Sequence, residues 1–173
     1  MKSKSLVLRV LLFALLCVLV GCVSRGTTQL SQPLNTNLSV YKSIVVAVKS
    51  NVANADALVV QIESAVISAL RKQGKYSKVF SSETSNSAEA ELKVTVNITR
   101  IRDINPADRV MWGAFAGRGK VYADVELTES QSGKILSKGS IVGKTSGGSV
   151  FAGTTPQAAE RVADEVVKFI SPQ

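Results

Sequence analysis

Histidine is absent from the 173-residue sequence, and only two cysteines occur, Cys17 and Cys22. Without histidine, Ser–His and Cys–His catalytic pairs and histidine-ligated zinc sites are excluded. The rest of the chain holds no cysteine, so it can form neither a disulfide nor a thiolate cluster. An enzyme built from this sequence would depend on carboxylates, lysine or serine. We expect no bound metal and no cofactor.

A long uninterrupted apolar run is also missing. The stretch from residue 6 to residue 20 is broken by Arg9, and about 20 apolar residues are needed to span a bilayer. Basic residues precede this stretch. The motif LVGC, which ends at Cys22, follows it, as in a signal peptide cleaved at a small residue. The sequence in this respect resembles bacterial lipoprotein precursors, which implies removal of residues 1–21 and lipidation of Cys22. An uncleaved anchor helix is the alternative.

Acidic residues are fewer than basic ones. Without residues 1–21, the chain keeps 152 residues, with 18 basic and 13 acidic side chains and a net charge of +5. This surplus favours anionic partners such as lipid head groups, acidic proteins or polymers. It is too small and too dispersed to indicate nucleic acid, which we do not expect as a partner. The remaining length is sufficient for one domain with a hydrophobic core.

Residues 23–42 are polar, contain Pro33 and show no sustained period of 2 or 3.6. We interpret residues 22–42 as the lipidated cysteine and a flexible tether, whose roughly 20 residues would reach about 25 Å. The single domain is then predicted to occupy residues 43–173.

Hydrophobic periodicity predicts the elements of this domain. A β-branched run at 44–48 indicates a central strand, and helical spacing that begins at Asp56 and stops at Gly74 indicates a helix of about 18 residues. A short strand at 76–80 follows.

Strict alternation then predicts a three-strand meander, whose first strand has a bulge or ends near Arg100. The spacing of Thr154 and Gln157 is that of a capping box, which predicts a closing helix. These elements predict an α+β fold, a two-layer sandwich in which a mixed, mostly antiparallel sheet of four to five strands carries two helices on one face.

The span from Ile44 to Ile170 resembles the bacterial lipoprotein family filed as domain of unknown function 4410. Three features carry the resemblance: the segment 113–117 (GAFAG) before a strand, the strand 125–127 (VEL) followed by 132–134 (SGK), and the alanine-rich closing helix. The resemblance implies a periplasm-facing lipoprotein with no established activity.

Asp124 and Glu126 lie on the same face of one predicted strand, as a pair of catalytic carboxylates could. The turn at residues 130–133 brings Lys134 and Lys138 back alongside them, so cross-strand charge pairs explain both acids without catalysis.

An aromatic, glycine-rich and basic set of residues is predicted at one end of the sheet. A meander places the connection after Ile101 and the exit of its third strand at the same end, together with a local excess of basic residues. Trp112 could instead cap the core. The predicted contact residues are Trp112, Phe115, Phe151, Arg100, Arg102, Arg109 and Arg118.

These observations predict a non-enzymatic lipoprotein on the periplasmic face of the outer membrane, where it binds an unidentified envelope protein or anionic component. Val23 favours the outer membrane, because retention in the inner membrane generally requires aspartate after the lipidated cysteine. In a cell with one membrane, the predicted location would be the outer face of the plasma membrane. The alternatives are a carboxylate-dependent enzyme acting on a cell-wall polymer and a structural subunit of a homo-oligomer.

Overall fold

In the computed structural model, residues 26–83, 89–103, 119–145 and 154–171 are described. That part of the chain contains six strands, two helices and a short 3-10 turn at Leu38–Val40. The elements are β1 (Thr27–Gln32), β2 (Ser43–Ser50), α1 (Asp56–Gln73), β3 (Lys78–Ser81), β4 (Leu92–Arg102), β5 (Lys120–Glu129), β6 (Ile135–Lys144) and α2 (Thr155–Ile170).

The strands form one mixed sheet in the order β1-β6-β5-β4-β2-β3. Pairing is antiparallel for β1 with β6, β6 with β5 and β5 with β4, whereas β2 runs parallel to both β4 and β3. Helix α1 makes the crossover between the parallel strands β2 and β3. The predicted α+β class, mixed sheet and two helices are confirmed, but the sheet has six strands and not four to five.

The additional strand is β1, which lies inside the segment that the sequence analysis assigned to a tether. Thr27 pairs with Val142 and Leu30 with Gly139, so β1 is the antiparallel edge neighbour of β6. Five of its six side chains are exposed, including Leu30 at 51%. Backbone hydrogen bonds to β6, and not burial of an apolar face, therefore hold this strand, and residues 27–32 are part of the domain.

The helices pack side by side on one face of the sheet. Ile62, Val66 and Leu70 of α1 are fully buried, and the helix ends at Gly74, whose φ of 66° is the left-handed conformation that glycine adopts readily. In α2, the backbone N–H of Thr154 donates to Gln157 Oε1 at 3.3 Å, which confirms the predicted capping box.

The two helices run parallel to each other. Gln61 Nε2 donates to the carbonyl of Pro156 at 3.1 Å near both helix starts, and Ser171 Oγ donates to Gln73 Oε1 at 2.9 Å near both ends. Both amino termini therefore lie at one end of the sheet. The other end, which we call the far end, carries Gly74 and the β5–β6 turn.

Helix α2 approaches β6 most closely at Gly143. A Cβ atom at this position would overlap the carbonyl oxygen of Ala158 and lie 2.9 Å from Val162 Cγ2. Only a residue without a side chain allows the helix backbone to sit at this depth on the sheet.

Candidate binding surface at the basic end of the sheet

Three cations lie side by side on β4, β5 and β6, at the end of the sheet where both helices begin. The register pairs Arg102 with Lys120 and Lys120 with Lys144. Neighbouring strands are about 4.8 Å apart, so the three side chains form a row across the sheet. We call them the basic row, and the end that carries them the basic end.

The β4 bulge determines which face these arginines occupy. The register shifts between Ile98 and Arg100, so the bulge predicted from the phase slip is confirmed. Beyond it, Ile101 pairs with the fully buried Val121 on the helix side, which puts Arg100 and Arg102 on the opposite, open face. The bulge therefore adds two cations to the open face at its basic end.

The basic row is unfavourable for folding, because like charges directly opposite each other on adjacent strands repel. Among the described residues, no carboxylate lies within ion-pair distance of Arg102, Lys120 or Lys144. The adjacent Arg100 stacks its guanidinium 3.9 Å from the ring centroid of Tyr122. Within the described ranges, the three cations of the basic row therefore have no ion-pair partner.

The backbone adds to this polarity, because α1 and α2 both begin at the basic end. Helix amino termini carry a partial positive charge. Asp56 lies in the first turn of α1 and offsets part of that charge. Asp103 lies at the same end and accepts a hydrogen bond from Thr155 Oγ1 of α2 at 2.6 Å. This carboxylate thus contacts the start of a helix.

Two carboxylates at the far end are held by hydrogen bonds. Glu129 accepts hydrogen bonds from the hydroxyls of Ser132 and Tyr41, the latter at 3.0 Å, and these bonds hold the pKa of Glu129 below its ordinary value. Glu91 accepts from the backbone N–H groups of Lys42 and Ser43. The far end also carries cations, among them Lys72 and Lys134, so charges of both signs lie there.

A second, polar feature lies on the open face beside the basic end. It is a shallow depression of about 560 Å³, and its charged or amide-bearing lining residues are Lys49, Asn97, Asp124, Glu126 and Lys138.

In this depression, Lys138 Nζ lies 2.7 Å from Glu126 Oε2, as predicted, and this hydrogen bond is the main reason that the pKa of Glu126 is lowered. Asp124 accepts from Ser140 Oγ at 2.8 Å. The expectation that a lysine of the next strand pairs with Asp124 is wrong, because the β5–β6 register puts Ser140 opposite it.

The chain belongs to the DUF4410 family. The family model, a domain of unknown function, matches residues 30–147, which include most of the sheet. The resemblance expected from the sequence is thereby confirmed. Among curated proteins, none matches this chain.

The fold of this DUF4410 protein is also found in solved structures. A PelC dodecamer from Paraburkholderia phytofirmans is 16% identical, with a TM-score of 0.60 over 86% of this chain and 99% of that chain. Protein XCC0632 from Xanthomonas campestris, of family DUF330, is 14% identical, with a TM-score of 0.52 over 80% and 90%. At these identities, the likeness shows a shared fold alone.

The structure describes only some of the residues predicted for the site of this DUF4410 domain. Arg100 and Arg102 lie at the basic end, beside Lys120 and Lys144. Their role in binding stays a prediction. The remaining predicted residues lie outside the described residues, namely Cys22, Trp112, Phe115, Phe151, Arg109 and Arg118.

Asn97 and Lys49, which line the depression, were not predicted as site residues from the sequence. Asn97 Oδ1 is buried without a hydrogen-bond partner among the described residues, although buried polar atoms are normally paired. The alternation of β4 showed only that Asn97 faces away from the core, and nothing in its spacing distinguishes it from Thr95 or Thr99.

Two findings concern metals and membranes. Within the described ranges, no group of three histidine, cysteine, aspartate or glutamate side chains is arranged to hold a metal ion. Neither of the two described helices is long and apolar enough to cross a membrane.

The double change Asp124→Asn and Glu126→Gln is expected to lower the free energy of unfolding by about 0.2–1 kcal/mol, because both side chains are partly exposed. The lowered pKa of Glu126 means that its ion pair stabilises the fold above the ordinary value of 4.5 and that this contribution is lost as the pH falls through the folded-state pKa. Urea unfolding at neutral and acidic pH measures both effects. An unchanged difference between variant and parent at acidic pH would contradict this assignment.

Proposed function

We propose that this DUF4410 protein is a lipid-anchored, non-enzymatic protein of the cell envelope that binds an anionic partner through its basic end. The observation that carries the proposal is the basic row. Three adjacent cations that form no ion pair among the described residues are a cost to folding, and an anionic ligand would offset that cost.

The proposed location rests on the amino-terminal sequence. The lipobox around Cys22 directs export and lipidation, and Val23 favours the periplasmic face of the outer membrane. In a cell with one membrane, the protein would lie on the outer face of the plasma membrane.

A binding role is favoured over carboxylate catalysis by the state of Glu126. A general acid requires a raised pKa, usually from burial or a nearby like charge. Lys138 instead lowers the pKa of Glu126, and Asp124 is bound by a serine hydroxyl. The two acids are therefore best explained as structural partners within the sheet.

The triple change Arg102→Gln, Lys120→Gln and Lys144→Gln is expected to remove most crosslinks between this protein and its partner in the intact envelope. Its stability should stay equal to or above that of the parent, because a repulsive row is removed. Photo-crosslinking in cells followed by mass spectrometry measures the first effect, and a thermal melt measures the second.

The matched control removes three cations from the far end, by Lys72→Gln, Lys75→Gln and Lys134→Gln. This control has the same net charge as the triple variant, so a general charge effect would reduce crosslinking equally in both. Equal crosslinking in the parent and both triple variants would contradict a binding role for the basic end.

Self-assembly is a second candidate function, favoured by the similarity of the fold to a PelC chain that was crystallised as a dodecamer. The outer edges of β1 and β3 have no strand neighbour among the described residues, and such edges can pair with another copy. Light scattering coupled to size-exclusion chromatography would show a multiple of the monomer mass if copies associate. A monomer at all concentrations would leave the anionic partner as the sole proposal.

A further inference from the structure

We infer that the basic end docks directly on the anionic lipid surface into which the protein's own lipid is inserted, with the strands standing away from the membrane. This inference rests on the proposed lipidation of Cys22 and names the partner of the basic end. It follows from the position of β1, from the length of chain before it and from the basic row beside the start of β1.

The chain enters the sheet at the basic end. Thr27, the first residue of β1, pairs with Val142, which is two residues from Lys144 at the end of β6. Val142 in turn pairs with Tyr122, over whose ring Arg100 is stacked. The first residue of the sheet is thus next to the cations, whereas Gln32 pairs with Lys138 further toward the far end.

The chain before β1 is short. Five residue steps separate Cys22 from Thr27, and a fully extended chain of that length spans at most about 18 Å. As a flexible segment, it has an r.m.s. length of about 12 Å. A tether of residues 23–42 would have allowed free rotation of the domain, but β1 uses six of those residues for the sheet.

These lengths are comparable with the range of electrostatic attraction. The head-group region on each side of a bilayer is about 5–7 Å thick, and the Debye length at physiological salt is about 8 Å. A domain held by five residues at its basic end keeps that end within this range, and the far end is kept away by the length of the strands. Each lysine or arginine near an anionic surface multiplies binding about fivefold.

The end that this arrangement brings to the membrane carries a group of cations. Arg100 and the basic row are on the membrane side, and Asp103 contacts the start of α2. The carboxylates of Glu91 and Glu129 lie at the far end, away from anionic lipid. Rotation of the domain by half a turn would carry Thr27 away from the membrane by the length of a ten-residue strand such as β5, about 33 Å. The chain between Cys22 and Thr27 spans at most about 18 Å, so this orientation is excluded for the anchored protein.

The test measures the reactivity of individual lysines in the lipidated protein. The protein is reconstituted into vesicles of phosphatidylglycerol and phosphatidylcholine in equal parts, or of phosphatidylcholine alone. A membrane-impermeant acylating reagent is then added, and mass spectrometry gives the modification rate at each lysine. Lys120 and Lys144 report on the basic end, and Lys78 and Lys134 report on the far end.

We expect Lys120 and Lys144 to react at least about five times more slowly in anionic vesicles than in neutral ones. The rates at Lys78 and Lys134 should be the same in both. At 1 M salt, where the Debye length is about 3 Å, the protection should disappear.

Two matched double variants test the role of charge. Arg100→Gln with Arg102→Gln should reduce the ratio of docked to undocked protein about 25-fold, because two cations are lost. Lys72→Gln with Lys75→Gln removes the same charge from the far end and should leave the protection of Lys120 and Lys144 unchanged.

The outcomes distinguish this inference from the proposed function. If Lys120 and Lys144 react equally in both vesicles while envelope crosslinks still require the basic row, the partner is a protein or polymer. The lipid inference is then overturned and the proposed function stands. If the protein fails to float with either vesicle, it carries no lipid anchor, and both are overturned.

Discussion

The change Cys22→Ser is expected to abolish lipid attachment completely, because no other cysteine remains after cleavage of the predicted signal peptide. Serine has nearly the same size but no thiol to form the thioether. The precursor should therefore accumulate uncleaved or be found outside its membrane. Metabolic labelling with a fatty-acid analogue, followed by detection of the labelled protein, measures the effect directly.

Cys17 provides the matched control, since it lies in the segment expected to be removed. The change Cys17→Ser should leave both labelling and localisation as in the parent. Label on the Cys22→Ser protein, or its loss in the Cys17→Ser protein, would show that Cys22 is not the lipidated residue.

The change Gly143→Ala is expected to cause a large loss of stability. Its new Cβ would overlap the Ala158 carbonyl oxygen, which belongs to the helix backbone and cannot rotate away. Overpacking of this kind costs about 3 kcal/mol, which corresponds to a fall in Tm of roughly 6–12 °C for a domain of this size. Differential scanning calorimetry measures both quantities.

Gly139 is the appropriate comparison, because it lies on the same strand and the same face as Gly143. A Cβ there would come within 2.9 Å of the Gln29 carbonyl oxygen, on the exposed edge strand β1. An edge strand can shift more easily than a helix packed on the core, so Gly139→Ala should cost less. Equal melting temperatures for the two variants would mean that α2 does not pack at the depth described.

The helices could be predicted closely from sequence because their signals are local. The apolar spacing and Gly74 define α1, and the capping box of Thr154 and Gln157 defines the start of α2. The strands of the meander could be predicted equally well. One side of each strand is buried, so apolar and polar residues alternate along its sequence. In each case, the residues that determine the element are contained within it.

Strand β1 could not be predicted in this way, because its stability comes from another part of the chain. Its sequence, TTQLSQ, is polar on both sides, and Leu30 is exposed. The backbone of β6, more than a hundred residues away, supplies its hydrogen-bond partners. A strand that buries little side-chain surface leaves little periodicity to detect.

The sequence predicts that the candidate site is rich in cations, but it does not predict which cations are neighbours. The sequence shows an excess of arginine and lysine around the meander ends, but only the register reveals that Arg102, Lys120 and Lys144 are direct neighbours. The partner of Asp124 was assigned incorrectly for the same reason. Cross-strand neighbours depend on bulges, and the one between Ile98 and Arg100 changes the face of every later residue in β4.

The antiparallel attachment of β1 also has a mechanical consequence. If Cys22 is lipidated as predicted, a force that pulls the anchored chain away from the domain would act along the β1 axis, in the direction that slides β1 past β6. The hydrogen bonds between Thr27–Gln32 and β6 lie across that direction and would resist the tension together. A pull at right angles would break them one after another. The pairing of β1 with β6 is therefore loaded in shear when the chain is pulled at the start of β1.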